Sequence, residues 1–586
     1  MSAWVRPMVA VVATAVAAGA VTPRAEAQLR PDQVLVVYDS RIPDSLQVAE
    51  YYAGSAAVPG GVGGRPGTRP GVRVVNLASI TPTPAVLTPG DITYTQFVNS
   101  LRDPLRTWLA SHDPDDRLRC IVLTKGLPHR IWEQNYPGEV PPQAGSRFVN
   151  GVYCSASVDS ELTLLWQNLG GLTETTAGTR STGLIINPYY RQTRPVDSWP
   201  TVHRRTAKVF SNPVNNAGLG PGAFWTALVT NPLLAAAPTQ LTPGDMYLVC
   251  RLDADTLADV FAKLDRAVSG IGPEGFGRGV PVDVDNVAVL LDESDSNGVI
   301  DVFSGGPELD NQDITLTTGT LSIRGGDDYE QTRYLMAGIN PPSNLPPSDA
   351  NPPAPELRYL ASNIRYDAAA GATNFLVGPR VTYPGTVPAQ IVSTPAILVS
   401  GYGSNHSGLP TGAAMTWATS FNLHPAAVFN SLESFNGRQF GGVPPPTATQ
   451  GQLMQQQAAS FIAAGGTLAV ANVWEPFATA TSDNLPIARA FLNGHLTWGE
   501  AAYTSMVGLS WQQIVLGDPL TRLVRSREDF DADGRINVED LYAWSRATPA
   551  QRTDINRDGA RNDLDRLILE GAVRASRDLD MRGRQR

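Results

Sequence analysis

The chain has 586 residues, of which 42% are apolar and 17% charged, and its formal net charge is −10. The length exceeds one ordinary core of about 100–200 residues, and the apolar share excludes a chain too polar to fold. An acidic balance excludes the basic patch on which nucleic-acid binding rests, and three cysteines exclude a disulfide scaffold.

The first residues read as an export signal. Arg6 supplies the positive start, Met8 to Val21 the apolar stretch, and Ala25-Glu26-Ala27 the small-x-small cleavage pattern. Residues 1–27 are therefore expected to be a signal peptide, and the mature chain to begin at Gln28 and leave the cytoplasm. The run is shorter than the ~20 apolar residues of a membrane span, so no integral membrane segment is expected after signal removal.

From Val34 strands and helices alternate. Val34–Tyr38 is a buried strand, Asp44 to Tyr52 an amphipathic helix, Pro59 to Arg73 a Gly/Pro/Arg loop, and Val74-Val75 a second strand. Phe97, Leu101, Leu105 and Leu109 have helical spacing, interrupted by Pro104. Cys120–Thr124 is a strong strand. Leu233 to Ala237 and Met246 to Arg251 lead into a helix over Leu257 to Ser269, and Val287–Leu291 is another strand. Asn340 to Glu356 is a proline-rich loop or linker where two subdomains could divide. A second half follows, with strands at Ala396–Val399, Ala426–Phe429 and Thr467–Ala471 and a helix at Leu453 to Ala464. This rhythm predicts an α/β body over 28–525, a largely parallel sheet covered by helices on both faces. Cys120, Cys154 and Cys250 lie in or beside apolar runs and read as small buried hydrophobes, with one bridge among them left open. The acidic stretch from Asp292 to Gly298 reads as a solvated loop.

After Leu523 the composition turns to Asp, Arg and Asn. Asp529, Asp531, Asp533, Gly534, Asn537 and Asp540 occupy positions 1, 3, 5, 6, 9 and 12 of an EF-hand-type loop, with the main-chain carbonyl of Arg535 at position 7. Calcium wants six to eight oxygen ligands, and the glycine permits the sharp turn that brings them together. Asp554, Asn556, Asp558, Gly559, Ala560, Asn562 and Asp565 repeat the pattern, each loop preceding a helix-compatible run. Two Ca²⁺ ions are expected. The pair resembles dockerin type I modules in its short separation, in Asp at position 12 and in Asn at position 9. The resemblance implies a small all-α module over 526–573, a polar tail over 574–586, and a possible cohesin-type protein partner. Arg561, at position 8 where the family has an apolar residue, departs from the pattern.

The body resembles the gingipain-type, caspase-like cysteine peptidases. A strand runs into Gly401-Tyr402-Gly403 where the family has Gly-His-Gly, and another into Ser434-Phe435-Asn436-Gly437 where it has Cys-x-x-Gly; Gly465-Gly466 and Leu516-Gly517-Asp518-Pro519 follow in the family's order. Such a peptidase needs a thiolate beside an imidazole. Here those positions are Ser434 and Tyr402, and no cysteine follows Cys250. Ser434 with His406 as base is an alternative dyad; the plainer reading makes Ser434 part of a turn and His406 a solvated loop residue. The body is also similar to an uncharacterised bacterial family found beside exosortase systems. Leu35-Val-Val-Tyr38-Asp-Ser-Arg-Ile-Pro-Asp-Ser45, Ile121-Val-Leu-Thr-Lys-Gly126, Ser157-Val-Asp-Ser-Glu-Leu162 and Ala471-Asn-Val-Trp-Glu-Pro476 carry that likeness, which implies a secreted, periplasmic or surface protein of a bacterium.

Asp159 with Glu161, and Glu475 beside Trp474, are the carboxylates able to do acid/base work if they flank a cleft. Asp159 and Glu161 otherwise read as a surface pair or as the N-terminal cap of a helix starting near Leu162. Two functions compete at this level. One is a calcium-binding surface protein with a catalytically degenerate body; the other is a secreted hydrolase of peptide or polysaccharide with a rebuilt site.

Overall fold

The computed structural model describes residues 28–81, 87, 89–131, 148–149, 152–153, 156–167, 185–206, 208, 241–268, 279–292, 315–318, 321–324, 328–337, 359–367, 375–381, 389–401, 417–433, 435–441, 456–474, 481–528, 530, 536–549, 551–555 and 560–575. The expected signal peptide, the segment Leu233 to Ala237, the linker over Asn340 to Glu356 and Cys154 lie outside the described residues.

Ten strands form one sheet: β1 (Val34–Tyr38), β2 (Arg73–Asn76), β3 (Cys120–Thr124), β4 (Leu248–Leu252), β5 (Ala288–Asp292), β6 (Ile364–Asp367), β7 (Ala396–Gly401), β8 (Leu423–Ser431), β9 (Leu468–Asn472) and β10 (Gln513–Leu516). Their order is β6-β5-β7-β8-β9-β10-β4-β3-β1-β2. All neighbours pair in parallel except β9 with β10. Every residue of β1, β3, β4, β5 and β9 is buried, as near-continuous apolar runs in a parallel sheet require.

The path of the chain is used twice. β1 is laid first, β2 goes outside it, and β3 and β4 return on the other side; β5, β6, β7 and β8 repeat this order. The strands β5 and β6, which flank the proline-rich segment, are neighbours in register from Val289↔Ile364 to Asp292↔Asp367. The sheet is thus continuous there, and the two repeats meet through β9, β10 and β4 instead. β10 pairs with four residues of β9 and touches β4 at one pair, Leu516 with Arg251. β6 and β10, both four residues long, are not separable from loops in the sequence.

The helices that matter below, among the described residues, are α1 (Pro43–Ala53), α2 (Asp103–His112), α3 (Val158–Thr163), α4 (Leu257–Ala267), α5 (Asp328–Ala337), α6 (Gln457–Ala463), α7 (Asn484–Ile487), α8 (Trp498–Ser505), α9 (Val538–Arg546) and α10 (Asp563–Ala575). The helix expected across Phe97 to Ser111 is present but passes through a π-helical segment, Val98–Arg102, before α2. Pro104 has no N–H to give, and the changed register places it in the first turn of α2, where none is needed. α1 and α4 pack through Tyr51 and Phe261, whose rings stack at 4.2 Å.

One apolar core runs from Leu29 to Leu523. A second, smaller core lies beyond it, built from Ile536, Trp544, Ile555, Leu569 and Val573 around α9 and α10. Ile555 helps fill this core at the second position of its loop, whereas Arg561 is exposed.

Gly517 follows β10 at φ +119, and a Cβ there would lie 2.5 Å from Leu468 Cδ2 and 3.1 Å from the Thr467 carbonyl oxygen. Gly517→Ala is expected to destabilise the body by about 1–3 kcal/mol through strain and overpacking, read as a lower melting temperature. An unchanged melting temperature would remove this close approach as a constraint.

Candidate functional site

β3 ends at Thr124 and β4 at Leu252, so Lys125 and Asp253 emerge side by side. Lys125 Nζ donates to the Asp253 carboxylate at 3.1 Å and to the Ala254 carbonyl at 2.6 Å. β1 is the strand about which the chain path reverses, and open α/β sheets leave a crevice at such a point, outside the carboxyl ends of the strands. A cleft of about 330 Å³ lies there, lined among others by Asp44 at the start of α1, Lys125, His129, Asp253, Arg438 and Phe440.

His129 Nε2 is 2.7 Å from the Arg438 carbonyl oxygen; since a carbonyl only accepts, Nε2 carries the proton. Burial, with the Arg130 and Arg251 guanidiniums, pushes His129 well below its ordinary pKa, so the ring is neutral. Phe440 meets it edge-on at 5.0 Å. Arg130 donates to Asp91 at 2.6 Å and to the Arg438 carbonyl. The Arg438 guanidinium lies 4.7 Å from the Trp474 ring centroid and 5.3 Å from that of Phe435. The cleft wall thus mixes apolar residues with the Arg130 and Arg438 side chains, the His129 imidazole and the Phe440 ring. Its lysine is already held by a carboxylate and a carbonyl. Sequence reasoning quoted Lys125 and Gly126 only as part of a motif; a lysine directly after a buried strand was the available signal.

The turn after β8 reaches this cleft. Tyr402, His406, Ser434 and Glu475 lie outside the described residues, but the neighbours of Ser434 do not. Phe435 is left-handed at φ +63, and its N–H donates to the Trp474 carbonyl at 2.9 Å. Asn436 accepts from Asn472 N–H at 2.7 Å and donates to the Ser431 carbonyl at 3.2 Å. Asn472 Nδ2 donates to the Glu433 carbonyl at 3.1 Å. Two asparagines therefore brace the left-handed turn at Phe435. The described cysteines are elsewhere: Cys120 and Cys250 are unbridged and buried within β3 and β4, and burial pushes the Cys250 thiol up. Such a thiol is inert.

Asp159 and Glu161 are neither a surface pair nor the cap of α3. The cap is the Ser157 hydroxyl, which accepts from Ser160 N–H at 2.9 Å. Both acids sit in the first turn, 1% and 3% exposed. Asp159 takes both arms of Arg251, at 3.2 and 2.6 Å, while Glu161 accepts from the Ser510 hydroxyl. Burial outweighs the Arg251 guanidinium and pushes the Asp159 carboxyl up. Neither acid lines the cleft. Their short spacing before an apolar run suggested capping, but contacts with distant β4 and the Ser510 segment bury them.

Asp292 also departs from expectation. It closes β5 fully buried, accepts from Leu376 N–H at 2.8 Å, and is pushed well up by burial. Nothing in the sequence pointed to Asp328 and Asp483. Asp328 caps α7 by accepting from Asn484 and Leu485 N–H, both at 2.7 Å. Asp483 accepts from the Tyr190 hydroxyl and from Arg191 at 3.3 Å. Burial pushes Asp328 up to about 6; burial and Asp328 together push Asp483 up to about 8 against the pull of Arg191.

In the C-terminal module, Asp529, Asp531, Asp533, Arg535, Asn556 and Asp558 lie outside the described residues, whereas Asn537, Asp540, Asp554, Ala560, Asn562 and Asp565 lie within them. The two loop exits match. Asn537 N–H donates to Asp540 and Asn562 N–H to Asp565, both at 2.8 Å. Asn537 Oδ1 accepts from Glu539 N–H and Asn562 Oδ1 from Leu564 N–H, both at 2.7 Å. Asp540 and Asp565 are fully buried. Hard oxygen donors held inward at position 12 fit a calcium ion. Among the described residues no three candidate metal ligands converge. No helix among them is long and apolar enough to cross a membrane.

No family model matches this chain, and neither a curated protein nor a solved structure matches it at a significant level.

Asp159→Ala should destabilise the body by about 3–5 kcal/mol, because it leaves the buried Arg251 charge without its carboxylate; denaturant unfolding checks this, and a loss below 1 kcal/mol would make the pair dispensable. Asp483 sets a pH dependence. Its folded pKa near 8 exceeds the unfolded value of about 3.9, so the folded state holds a proton that the unfolded state releases. The resulting stability is complete below about pH 4 and is lost as pH rises through 8. Melting temperatures of the wild type should therefore fall more steeply from pH 5.5 to 8.5 than those of Asp483→Asn.

Proposed function

We propose that this is an exported, calcium-binding modular protein whose α/β body binds rather than catalyses, and whose C-terminal module is dockerin-like and places it in an assembly through a cohesin-type partner. The observation that carries the proposal is the duplicated loop exit, in which Asp540 and Asp565 are buried and held by the same backbone bond in both loops. The aspartates and asparagines of the two loops would hold the ions, with the carbonyls of Arg535 and Ala560. Calcium there supplies charge neutralisation, so that clustered carboxylates can pack against the Ile536 and Trp544 core. Export rests on the N-terminal signal pattern.

A binding role for the body is supported by the cleft beside His129 and Arg438, where the lysine is already paired and the imidazole is neutral and bonded to a carbonyl. The absence of any cysteine after Cys250 removes the peptidase nucleophile. One observation favours the second reading, a secreted hydrolase: left-handed Phe435 bends the chain directly after Ser434. Strained backbone of this kind is found at sites that present a nucleophile.

Calorimetric titration of Ca²⁺ into the mature chain should show two ions bound, and the Asp529→Ala/Asp554→Ala variant should lose both. At 100-fold excess over Kd, calcium should stabilise the module by about 2.7 kcal/mol per ion. Unchanged binding in the variant would sink the assignment of the loops. Ser434→Ala should leave ligand binding by the body and its melting temperature unchanged; loss of a peptide- or glycan-hydrolysing activity in that variant would establish the second reading.

A further inference from the structure

A second cavity lies apart from the cleft and from the calcium loops. It holds about 150 Å³ and sits between the turn Tyr190–Arg194, the π-helical segment Ala488–Leu492 and His495 in the loop before α8. Arg191, Arg194, Arg489 and His495 line it, and no carboxylate is among its lining residues. Arg191 is paired with Asp483, which is not among the lining residues, so the wall itself is cationic, and a cationic wall favours an anionic occupant.

We propose that this cavity is an oxyanion site that takes a single phosphate or sulfate group, free or as a monoester. The volume suits one tetrahedral group and falls below the 300 Å³ or so from which pockets for drug-sized ligands begin. Guanidinium is the side chain for such a group, since its planar fork donates two parallel hydrogen bonds to an oxyanion.

The arginines are positioned by different means. Arg191 has a left-handed backbone at φ +58, a conformation that a residue with a Cβ rarely adopts. Its N–H is fixed to the Thr504 carbonyl at 2.8 Å, its guanidinium is held by Asp483 on one side, and it lies 5.2 Å from the Tyr190 ring centroid. A strained residue over-determined by its surroundings is a mark of a site. Arg489 is 5% exposed and belongs to a π-helical segment, a feature enriched at functional positions. Arg194 is exposed and steadied by the Trp199 ring at 4.6 Å, so it can close over an entering anion. Arg489 is thus the buried anchor, Arg191 a half-buried one and Arg194 the outer arm, which grades the effects expected at Arg489 and Arg194.

The test is calorimetric titration of the mature chain at low chloride, with EDTA present so that no metal-bound phosphate is counted. Inorganic phosphate, inorganic sulfate and glucose 6-phosphate are the probes. One site per chain is expected, with Arg489→Gln weakening it about 10- to 100-fold and Arg194→Gln about threefold. Arg194→Glu should abolish binding while leaving the melting temperature unchanged, which keeps the test valid if Arg489→Gln folds poorly. Tighter binding of glucose 6-phosphate than of inorganic phosphate would assign the site to ester-borne groups; equal affinity would show that it takes the group free or esterified, and binding of the inorganic ions alone would assign it to free anions. No binding of any probe at millimolar concentration, or binding that Arg194→Glu retains, would overturn the proposal.

Discussion

A guanidinium buried where the two repeats of the sheet meet holds the body together. Arg251 lies on β4 without solvent exposure, and its side chain binds Asp159, the Leu127 carbonyl at 2.9 Å and the Pro128 carbonyl at 2.8 Å. Its own carbonyl accepts from Gly517 N–H at 3.0 Å. One residue therefore ties the loop after β3, the start of α3 and the end of β10 to the strand between them. A buried ion pair of this kind gains little net stability over an apolar pair, because desolvation offsets the attraction. Its contribution is positional: a fork with fixed geometry favours one arrangement of the loop after β3 and the start of α3 around it.

That arrangement decides where a ligand can go. The loop leaving β3 is carried past Arg251 so that His129 meets the turn after β8, and the cleft forms between them. The cleft consequently belongs to both repeats. Two of its charges are paired, Lys125 with Asp253 and Arg130 with Asp91. The basic cavity at Arg191 and Arg489 differs: its lining is cationic, and Asp483 holds Arg191 from behind.

The C-terminal segment has its own apolar core, to which Phe530 and Ile536 of the first loop and Ile555 of the second contribute. The carboxylates at position 12 keep the same backbone bond in both loops, so the departure at Arg561 leaves the loop exits alike.

The parallel strands were legible in the sequence because each is an unbroken apolar run bounded by turn residues. Fold class and the order of the main strands therefore followed from residues close together in the chain. What required tertiary structure was everything made by distant partners. β10 is four residues long, and its place between β9 and β4 follows from pairing that no local pattern encodes. Asp159 and Glu161 carry the local signature of a helix start, yet Arg251 and Ser510 bury them. Asp328 and Asp483 are 155 residues apart and share the start of one helix. Hydrophobic period and ligand spacing are properties of a segment; burial of charge and the walls of a cavity are properties of the packed molecule, set by which segments the sheet brings together.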